Sequence, residues 1–406
     1  MKVHERLAEL AAFGATAQGI DRALFTAADH AARRRFAQWA HAGGLAVEQD
    51  RAGNVFARLD GGSDGPPMQC GSHLDTVRNG GAYDGAYGVV GGLEALERIA
   101  AGGAPLRRPL EVVAWAGEEG SRFPLGCLGS SAYARLTPYA EIFALIADDG
   151  QPFADALAGR NGLLDGVRLR DDFPAPAAYI ELHIEQGPVL EGMGLPLGVV
   201  LGTKGVERHA ITFHGQEAHS GSTPMKVRRD ALAGAAKLAL EIRNIAGKHP
   251  DAVCTMGSVK TFPGIVTAVV GRCEAMLDQR DLDATVLAEM YQAAREASER
   301  FAREERCTVD WSRIWSIEPI PFHPQLVEFC ASAIHDVTGQ VHRLPSGPLH
   351  DAAEVARCGI PTVMMFVQSL QGISHNKIEN TKEEHLALAV EAQARLAQRT
   401  AEWISA

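Results

Sequence analysis

At 406 residues the chain exceeds what one hydrophobic core usually organises, so two domains are the default expectation. Its 39 Lys and Arg against 50 Asp and Glu give a net charge of −11 with no dense basic tract, which argues against a nucleic-acid surface. No apolar run approaches membrane-spanning length, and Glu5 and Glu9 interrupt the N-terminal apolar residues, so neither a membrane span nor a signal peptide is expected.

Hydrophobic content of 46% and 42 glycines suit an α/β chain. Residues 1–50 read as helices, Ala-rich at first, then amphipathic to Ala42 behind a cap at Thr26-Ala27-Ala28-Asp29. Strands are expected at 54–59, 68–73 and 110–116, with a Gly-rich helix at 88–100 between the last two, an α/β crossover pattern. A further apolar strand covers 178–184. After Gly205 the pattern changes: 209–214, 252–259 and 274–281 alternate like half-exposed strands, 230–245 and 285–305 are helical, and 307–317 is a strand. Pro319, Pro321 and Pro324 mark the return to a buried strand at 361–367 and a closing helix at 382–404. The expected fold class is α/β. A discontinuous domain over 1–206 and 319–406 carries a mixed, largely parallel sheet flanked by helices, and a smaller α+β domain is inserted at 207–318. The seven cysteines are odd in number, widely spaced and free of any CxxC, which fits thiols in a reducing compartment and points to the cytoplasm.

Five short segments each offer an imidazole or a carboxylate: Gly71-Ser72-His73-Leu74-Asp75-Thr76, Tyr83-Asp84-Gly85, Gly117-Glu118-Glu119-Gly120, Glu181-Leu182-His183-Ile184-Glu185-Gln186-Gly187 and Gly372-Ile373-Ser374-His375-Asn376. Taken singly, each has an ordinary reading. His-x-Asp is a strand end, Glu-Glu a solvated turn, His183 a core histidine and His375 a loop residue. Together they supply three His, an Asp and a Glu, enough to hold a pair of divalent ions, and leave Glu118 over to move protons. His73 and Asp75 stand at i and i+2 at the end of an apolar strand, so both side chains are expected on one side, with Asp75 accepting a hydrogen bond from the second ring nitrogen of His73. Gly80-Gly81 and Gly85 permit tight turns that present Asp84 to two ions. The repulsion between Glu118 and Glu119 in water reverses beside a dication. His and carboxylate ligands without thiolates suit zinc, manganese, cobalt or nickel. Two such ions roughly 3.5–4 Å apart would clamp a hydroxide and polarise a carbonyl. All five segments fall outside the inserted domain, which leaves that domain for substrate binding or assembly.

From about residue 45 onward the chain resembles the dinuclear-metal amidohydrolases of the carboxypeptidase G and aminoacylase superfamily. The resemblance is strongest to the hydantoinase/carbamoylase branch of N-carbamoyl-L-amino acid hydrolases, β-ureidopropionases and allantoate amidohydrolases. It rests on Gly117-Glu118-Glu119-Gly120-Ser121-Arg122-Phe123, on His183-Ile184-Glu185-Gln186-Gly187-Pro188-Val189-Leu190-Glu191, and on Ala218-His219-Ser220-Gly221-Ser222-Thr223-Pro224-Met225 together with the His73 and His375 motifs.

The resemblance implies that Asp84 bridges both ions, that His73 and His183 complete one ion's ligands, and that Glu119 and His375 complete the other's. Glu118 would be the general base, with Asp75 supporting His73. The inserted domain would serve as lid and dimerisation domain, with His219 reaching the neighbouring subunit of a homodimer to stabilise the oxyanion. Gln186, Arg280, Thr267 and His350 fall at substrate-contacting positions. Arg280 is placed to hold a carboxylate, and its ordinary alternative is an ion pair with Asp278 or Asp281. Thr267 stands where relatives carry Asn, Gln368 where they carry Pro, and Pro348-Leu349 and Asn376-Lys377 also depart from the pattern.

The implied activity is hydrolysis of a linear amide or ureido C–N bond in a small amide or ureido acid such as an N-carbamoyl amino acid, with release of ammonia and carbon dioxide. Metal-bound water would attack as hydroxide while Glu118 takes its proton and passes it to the leaving nitrogen. The alternatives are an aminoacylase or dipeptidase on the same scaffold, and a non-catalytic small-molecule binding protein, which would be expected to have lost ligands or Glu118.

Overall fold

The computed structural model describes residues 2–62, 65–102, 106–170 and 175–405. They form two compact units, Met1–Gly202 with Phe322–Ala406, and Thr203–Pro321.

In the first unit the sheet runs in the order Leu197–Thr203, Thr362–Val367, Ala178–Ile184, Met68–His73, Leu110–Trp115, Val55–Leu59, Ala46–Gln49, Arg168–Leu169. The four strands from Thr362–Val367 to Leu110–Trp115 are mutually parallel. Antiparallel strands flank them at Leu197–Thr203 and Val55–Leu59. Every residue of these four parallel strands is buried. That explains the almost wholly apolar sequences of Leu110–Trp115 and Thr362–Val367, since a parallel sheet covered on both faces has no solvent side to alternate toward. Helices Ala86–Ala101 and Glu383–Trp403 insert Val89, Leu93, Leu386 and Val390 into the same core as Ile180, Leu182 and Val363. The expected cap forms: the Thr26 side chain accepts the Asp29 N–H and starts helix Ala27–Ala42.

Several elements of this unit are not anticipated by the sequence pattern, among them strand Leu197–Thr203 and helices Leu128–Tyr133 and Asp351–Arg357, and two more have a plain physical reason. Strand Ala46–Gln49 buries Glu48 and Gln49, polar residues that hide its strand character. Helix Pro324–Thr338 begins at a proline taken for linker, a residue well suited to a first helical turn because its missing N–H is not needed there.

The second unit is an antiparallel sheet in the order Val253–Phe262, Arg272–Asp281, Gly205–His214, Thr308–Ile317. Helices Ala231–Ala246 and Ala284–Glu304, capped by Asp230 and Asp283, pack Leu238, Ile242 and Met290 against Ile211, Phe213 and Leu277. No helix among the described residues is long and apolar enough to cross a membrane.

Candidate metal centre

The parallel strands of the first unit deliver their motifs at their carboxyl ends, where open α/β sheets commonly bind ligands. His73 is the last residue of its strand, Glu118 and Glu119 follow the strand ending at Trp115, and His183 is the penultimate residue of Ala178–Ile184. His375 lies on the loop beyond Thr362–Val367, and Asp84 immediately precedes the Gly85 cap of helix Ala86–Ala101. Gly85 has φ +62°, and a Cβ there would lie 2.4 Å from the His73 ring. Only glycine lets the backbone turn there and bring Asp84 over the imidazole.

The side chains converge on Asp84. Its Oδ1 lies 3.1 Å from His183 Nε2 and 3.5 Å from His73 Nε2. Its Oδ2 lies 3.3 Å from His375 Nε2, which is 3.5 Å from Glu119 Oε2. The far nitrogens of two rings meet main-chain carbonyls, His73 Nδ1 at Asp75 O (3.0 Å) and His183 Nδ1 at Ile184 O (2.9 Å). A carbonyl only accepts, so in the neutral imidazoles Nδ1 carries the hydrogen and each Nε2 turns a lone pair toward Asp84. His183 Nε2 is buried without a hydrogen-bond partner. A lone pair and a carboxylate oxygen facing each other repel unless a cation lies between them. The donor set and this orphaned nitrogen therefore fit a divalent ion. His73, Asp84 and His183 bring their ligand atoms within 4.8 Å of one another, as do Asp84, Glu119 and His375, so Asp84 belongs to both groups.

The contact expected between the Asp75 side chain and His73 is not made. The strand ends at His73, so its alternation does not extend to Asp75, whose carboxylate stands 3.7 Å from His73 Nδ1 while the Asp75 carbonyl holds the ring. The carboxylate instead accepts the N–H groups of Glu118 (3.1 Å) and Glu119 (3.2 Å). Asp75 thus fixes the Glu-Glu turn. Glu118 Oε2 reaches to 3.6 Å from His73 Nε2, and its Oε1 accepts the Cys127 thiol at 3.6 Å. Glu119 Oε1 accepts the Val77 N–H at 3.2 Å.

The electrostatics match that crowding. Burial, reinforced by Glu119, Asp351 and Asp84, holds the Glu118 carboxyl well above its ordinary range, as a proton-carrying acid near neutral pH requires. Burial and Asp84 push Glu119 up to about 7. Burial alone would raise Asp84, but the adjacent rings of His183, His375 and His73, which would donate to it if protonated, hold it well below the usual carboxylate range. Burial and the nearby His183 keep His350 well below an ordinary histidine.

His350 is buried with its ring centroid 4.3 Å from that of His183, and its Nε2 has no hydrogen-bond partner. Gln186 turns its amide inward, donating to Asp84 Oδ2 at 2.9 Å and Ser374 Oγ at 3.1 Å. Gln368 is buried and donates to the Leu195 carbonyl at 2.9 Å, a structural contact. The Pro348 carbonyl accepts the Ser346 hydroxyl at 2.9 Å.

His219, Thr267 and Arg280 belong to the second unit. There Ala218–His219 pairs with Ala268–Val269, and the Thr267 carbonyl accepts the Ser220 N–H, so exposed His219 and Thr267 are close neighbours. Nδ1 of His219 accepts the Gly221 and Ser222 N–H groups. In its neutral form this leaves the hydrogen on Nε2, able to donate. Arg280 is paired with Asp278 through Nε (2.8 Å) and Nη2 (3.2 Å). The sequence pattern assigned no role to Ser374, which stood only as a neighbour of His375, nor to Glu379, to which it is hydrogen-bonded, nor to the Cys127 thiol. For Glu379 the only available signal was its position four residues after His375.

Residues 70–399 match the model of peptidase family M20/M25/M40. The chain is 35% identical to N-carbamoyl-L-amino acid amidohydrolase of Geobacillus stearothermophilus, over 96% of each chain. It is 34% identical to allantoate amidohydrolase of Escherichia coli strain K12, over 97% of this chain and 96% of that one. Among solved structures, a hydantoinase/carbamoylase family amidase from Burkholderia multivorans superposes with a TM-score of 0.90 at 34% identity, covering 98% of this chain and 97% of that one.

Proposed function

The chain belongs to peptidase family M20/M25/M40, in its hydantoinase/carbamoylase branch, and from that premise we propose that it hydrolyses the ureido C–N bond of an N-carbamoyl amino acid or a related ureido acid. The observation that carries this reading is a single carboxylate, Asp84, shared by two donor groups, with Glu118 beside them and required by neither.

His73, Asp84 and His183 would hold one divalent ion, and Asp84, Glu119 and His375 the other. Zinc, manganese, cobalt or nickel suits these donors and, when bound, would polarise the substrate carbonyl and lower the pKa of water toward about 7. Glu118 accepts a proton from the attacking water through its carboxylate and returns it to the nitrogen that departs. Water oxygen bonds to the ureido carbon as its C–N bond breaks. The carbamic acid that follows loses carbon dioxide, so one water yields ammonia, carbon dioxide and the free amino compound. Asp75 keeps Glu118 and Glu119 aligned through their N–H groups. Arg280 is assigned to the substrate carboxylate, with Thr267, Gln186 and His350 lining the substrate. His219 Nε2, from a second copy of the chain in a homodimer, is assigned to the oxyanion. The seven free thiols fit a reducing compartment such as the cytoplasm.

Ammonia release by the purified chain, stripped and reloaded with Mn²⁺, Co²⁺, Ni²⁺ or Zn²⁺, tests this reading. N-carbamoyl amino acids, allantoate and ureidoglycolate are the substrates expected to turn over. Turnover of N-acetyl amino acids or dipeptides in their place would assign the site to an aminoacylase or dipeptidase. Mixed dimers of His219→Ala and Glu118→Gln chains should regain activity if His219 acts across the interface, and no recovery would remove that assignment.

A further inference from the structure

Glu379 lies outside every motif, yet its buried carboxylate joins the two loops on which the candidate centre depends. Its Oε1 accepts the N–H groups of Tyr83 (3.0 Å) and Asp84 (3.1 Å), and its Oε2 accepts the Ser374 hydroxyl at 2.8 Å. These bonds connect chain segments 295 residues apart. The approach is tight: a Cβ on Gly81 would lie 2.2 Å from Glu379 Oε1. Ser374 Oγ also stands 3.1 Å from Asp84 Oδ2, and the Gln186 amide bridges the two.

His73 and His183 sit on buried strands and are each oriented by a main-chain carbonyl. His375 differs. Its side chain is 51% exposed, and its backbone has φ +55°, a conformation that a non-glycine residue keeps only when its surroundings impose it. Glu379 supplies such a constraint through Ser374, the residue before His375, while its other oxygen grips the main chain at Asp84.

We propose that Glu379 is a positioning residue for the ion held by Asp84, Glu119 and His375, acting by hydrogen bonding and not by direct ligation. The inference rests on the dinuclear reading of the site. Loss of this clasp frees the His375 loop and leaves the His73 and His183 side of Asp84 anchored, so one ion weakens and the other stays.

The test is metal stoichiometry and affinity, by elemental analysis and calorimetric titration of stripped full-length protein with Mn²⁺ and Zn²⁺, alongside circular dichroism and thermal melting. The parent chain is expected to take up two ions. Glu379→Ala should keep one at parental affinity and bind the second at least tenfold more weakly. Glu379→Gln keeps an acceptor for the Tyr83 and Asp84 N–H groups and an amide that can donate to Ser374, so it should retain both ions. Two ions at parental affinity in Glu379→Ala would overturn the proposal even if the melting temperature fell. Loss of the second ion in Glu379→Gln would overturn the hydrogen-bonding role. If Glu379→Ala fails to fold, Ser374→Ala cuts only one arm of the clasp. It should weaken the second ion alone, and unchanged affinity for both ions would overturn the proposal. Failure of the parent chain to bind two ions would be a different result, removing the dinuclear reading and this inference with it.

Discussion

His183 Nε2 and Asp84 Oδ1 stand 3.1 Å apart, both buried, with the other nitrogen of the imidazole already engaged by a carbonyl. Burial alone would lower the His183 pKa, but Asp84, a charge that a protonated ring could donate to, prevails and raises it. The pair thus demands positive charge at one location. A proton can supply it, and so can a metal ion, but not both together.

Metal affinity should therefore rise with pH. Opposing carboxylates raise His73, His183 and His375 above the usual histidine value, and burial with Asp84 pushes Glu119 up to about 7. A ligand whose pKa exceeds the ambient pH holds a proton that the ion must displace, so affinity climbs as pH rises through about 7. The linked stability has a definite sign for Glu119. Its raised folded pKa favours the metal-free fold below the unfolded value, and that contribution is lost as pH rises through about 7. Calorimetry near pH 6.5 in buffers of different ionisation enthalpy should register release of about one proton or more per ion. Proton-neutral binding would contradict the competition.

Glu118→Gln should bind metal normally and lose about 10²–10⁴-fold in kcat, the usual worth of a positioned acid–base group. Glu118 belongs to neither donor group that shares Asp84, so metal content separates a lost base from a lost centre. Parental ammonia release by this variant would remove Glu118 from the proton-transfer role.

Of the strands that carry the site, Met68–His73 and Ala178–Ile184 begin and end where the pattern places them, although the buried polar residues Gln69, Ser72, His73, Glu181 and His183 interrupt their apolar runs. Strand Ala46–Gln49 was obscured because Glu48 and Gln49 are buried against partners distant in sequence, Gln49 Nε2 donating to Leu164 O at 2.9 Å and Glu48 pairing with Arg170. The meeting of His73, Asp84, Glu119, His183 and His375 at one place was anticipated from residue type and flanking glycines. The Asp75 contact was misjudged because strand alternation was carried one step past the strand's end. Glu379 gave little signal beyond its spacing from His375, since two of its partners are backbone N–H groups, which leave no mark in residue identity.

Asp75→Asn separates support of the Glu-Glu turn from support of His73. An amide can accept one of the two N–H groups but turns its own NH₂ toward the other, so one hydrogen bond becomes a donor–donor contact. Activity should fall about 10–100-fold, as for loss of other groups that orient ligands. Stability should fall by about 1–3 kcal/mol, the cost of an unsatisfied buried polar group. Denaturant unfolding and steady-state rates measure both effects, and parental values for each would show that the carboxylate carries neither task.

Gly85→Ala should damage the centre without altering any ligand. The added methyl would lie 2.4 Å from the His73 ring on a backbone with φ +62°, so either the imidazole moves or the turn opens. The strained backbone alone costs about 1–3 kcal/mol. Reduced metal content together with a lower melting temperature is expected. Full metal loading at the parental melting temperature would mean that the Asp84 turn adapts easily.

Arg280→Lys tests the carboxylate assignment in the second unit. Asp278 accepts from Arg280 and, at 2.9 Å, from Arg208 Nε. Burial alone would raise the Asp278 carboxyl, but both guanidinium groups bring it below its usual range. A lysine ammonium cannot reproduce the planar, bidentate contact. Loss of a charge-assisted hydrogen bond of about 1.5–3 kcal/mol corresponds to a KM about 10–100-fold higher, with kcat much less affected because the carboxylate is held equally in ground and transition states. Arg208→Lys serves as the neighbouring control and should leave KM near the parental value. With a substrate whose carboxylate is replaced by an amide, the parent and Arg280→Lys chains should converge. A KM difference that persisted for the amide would place the substrate carboxylate elsewhere.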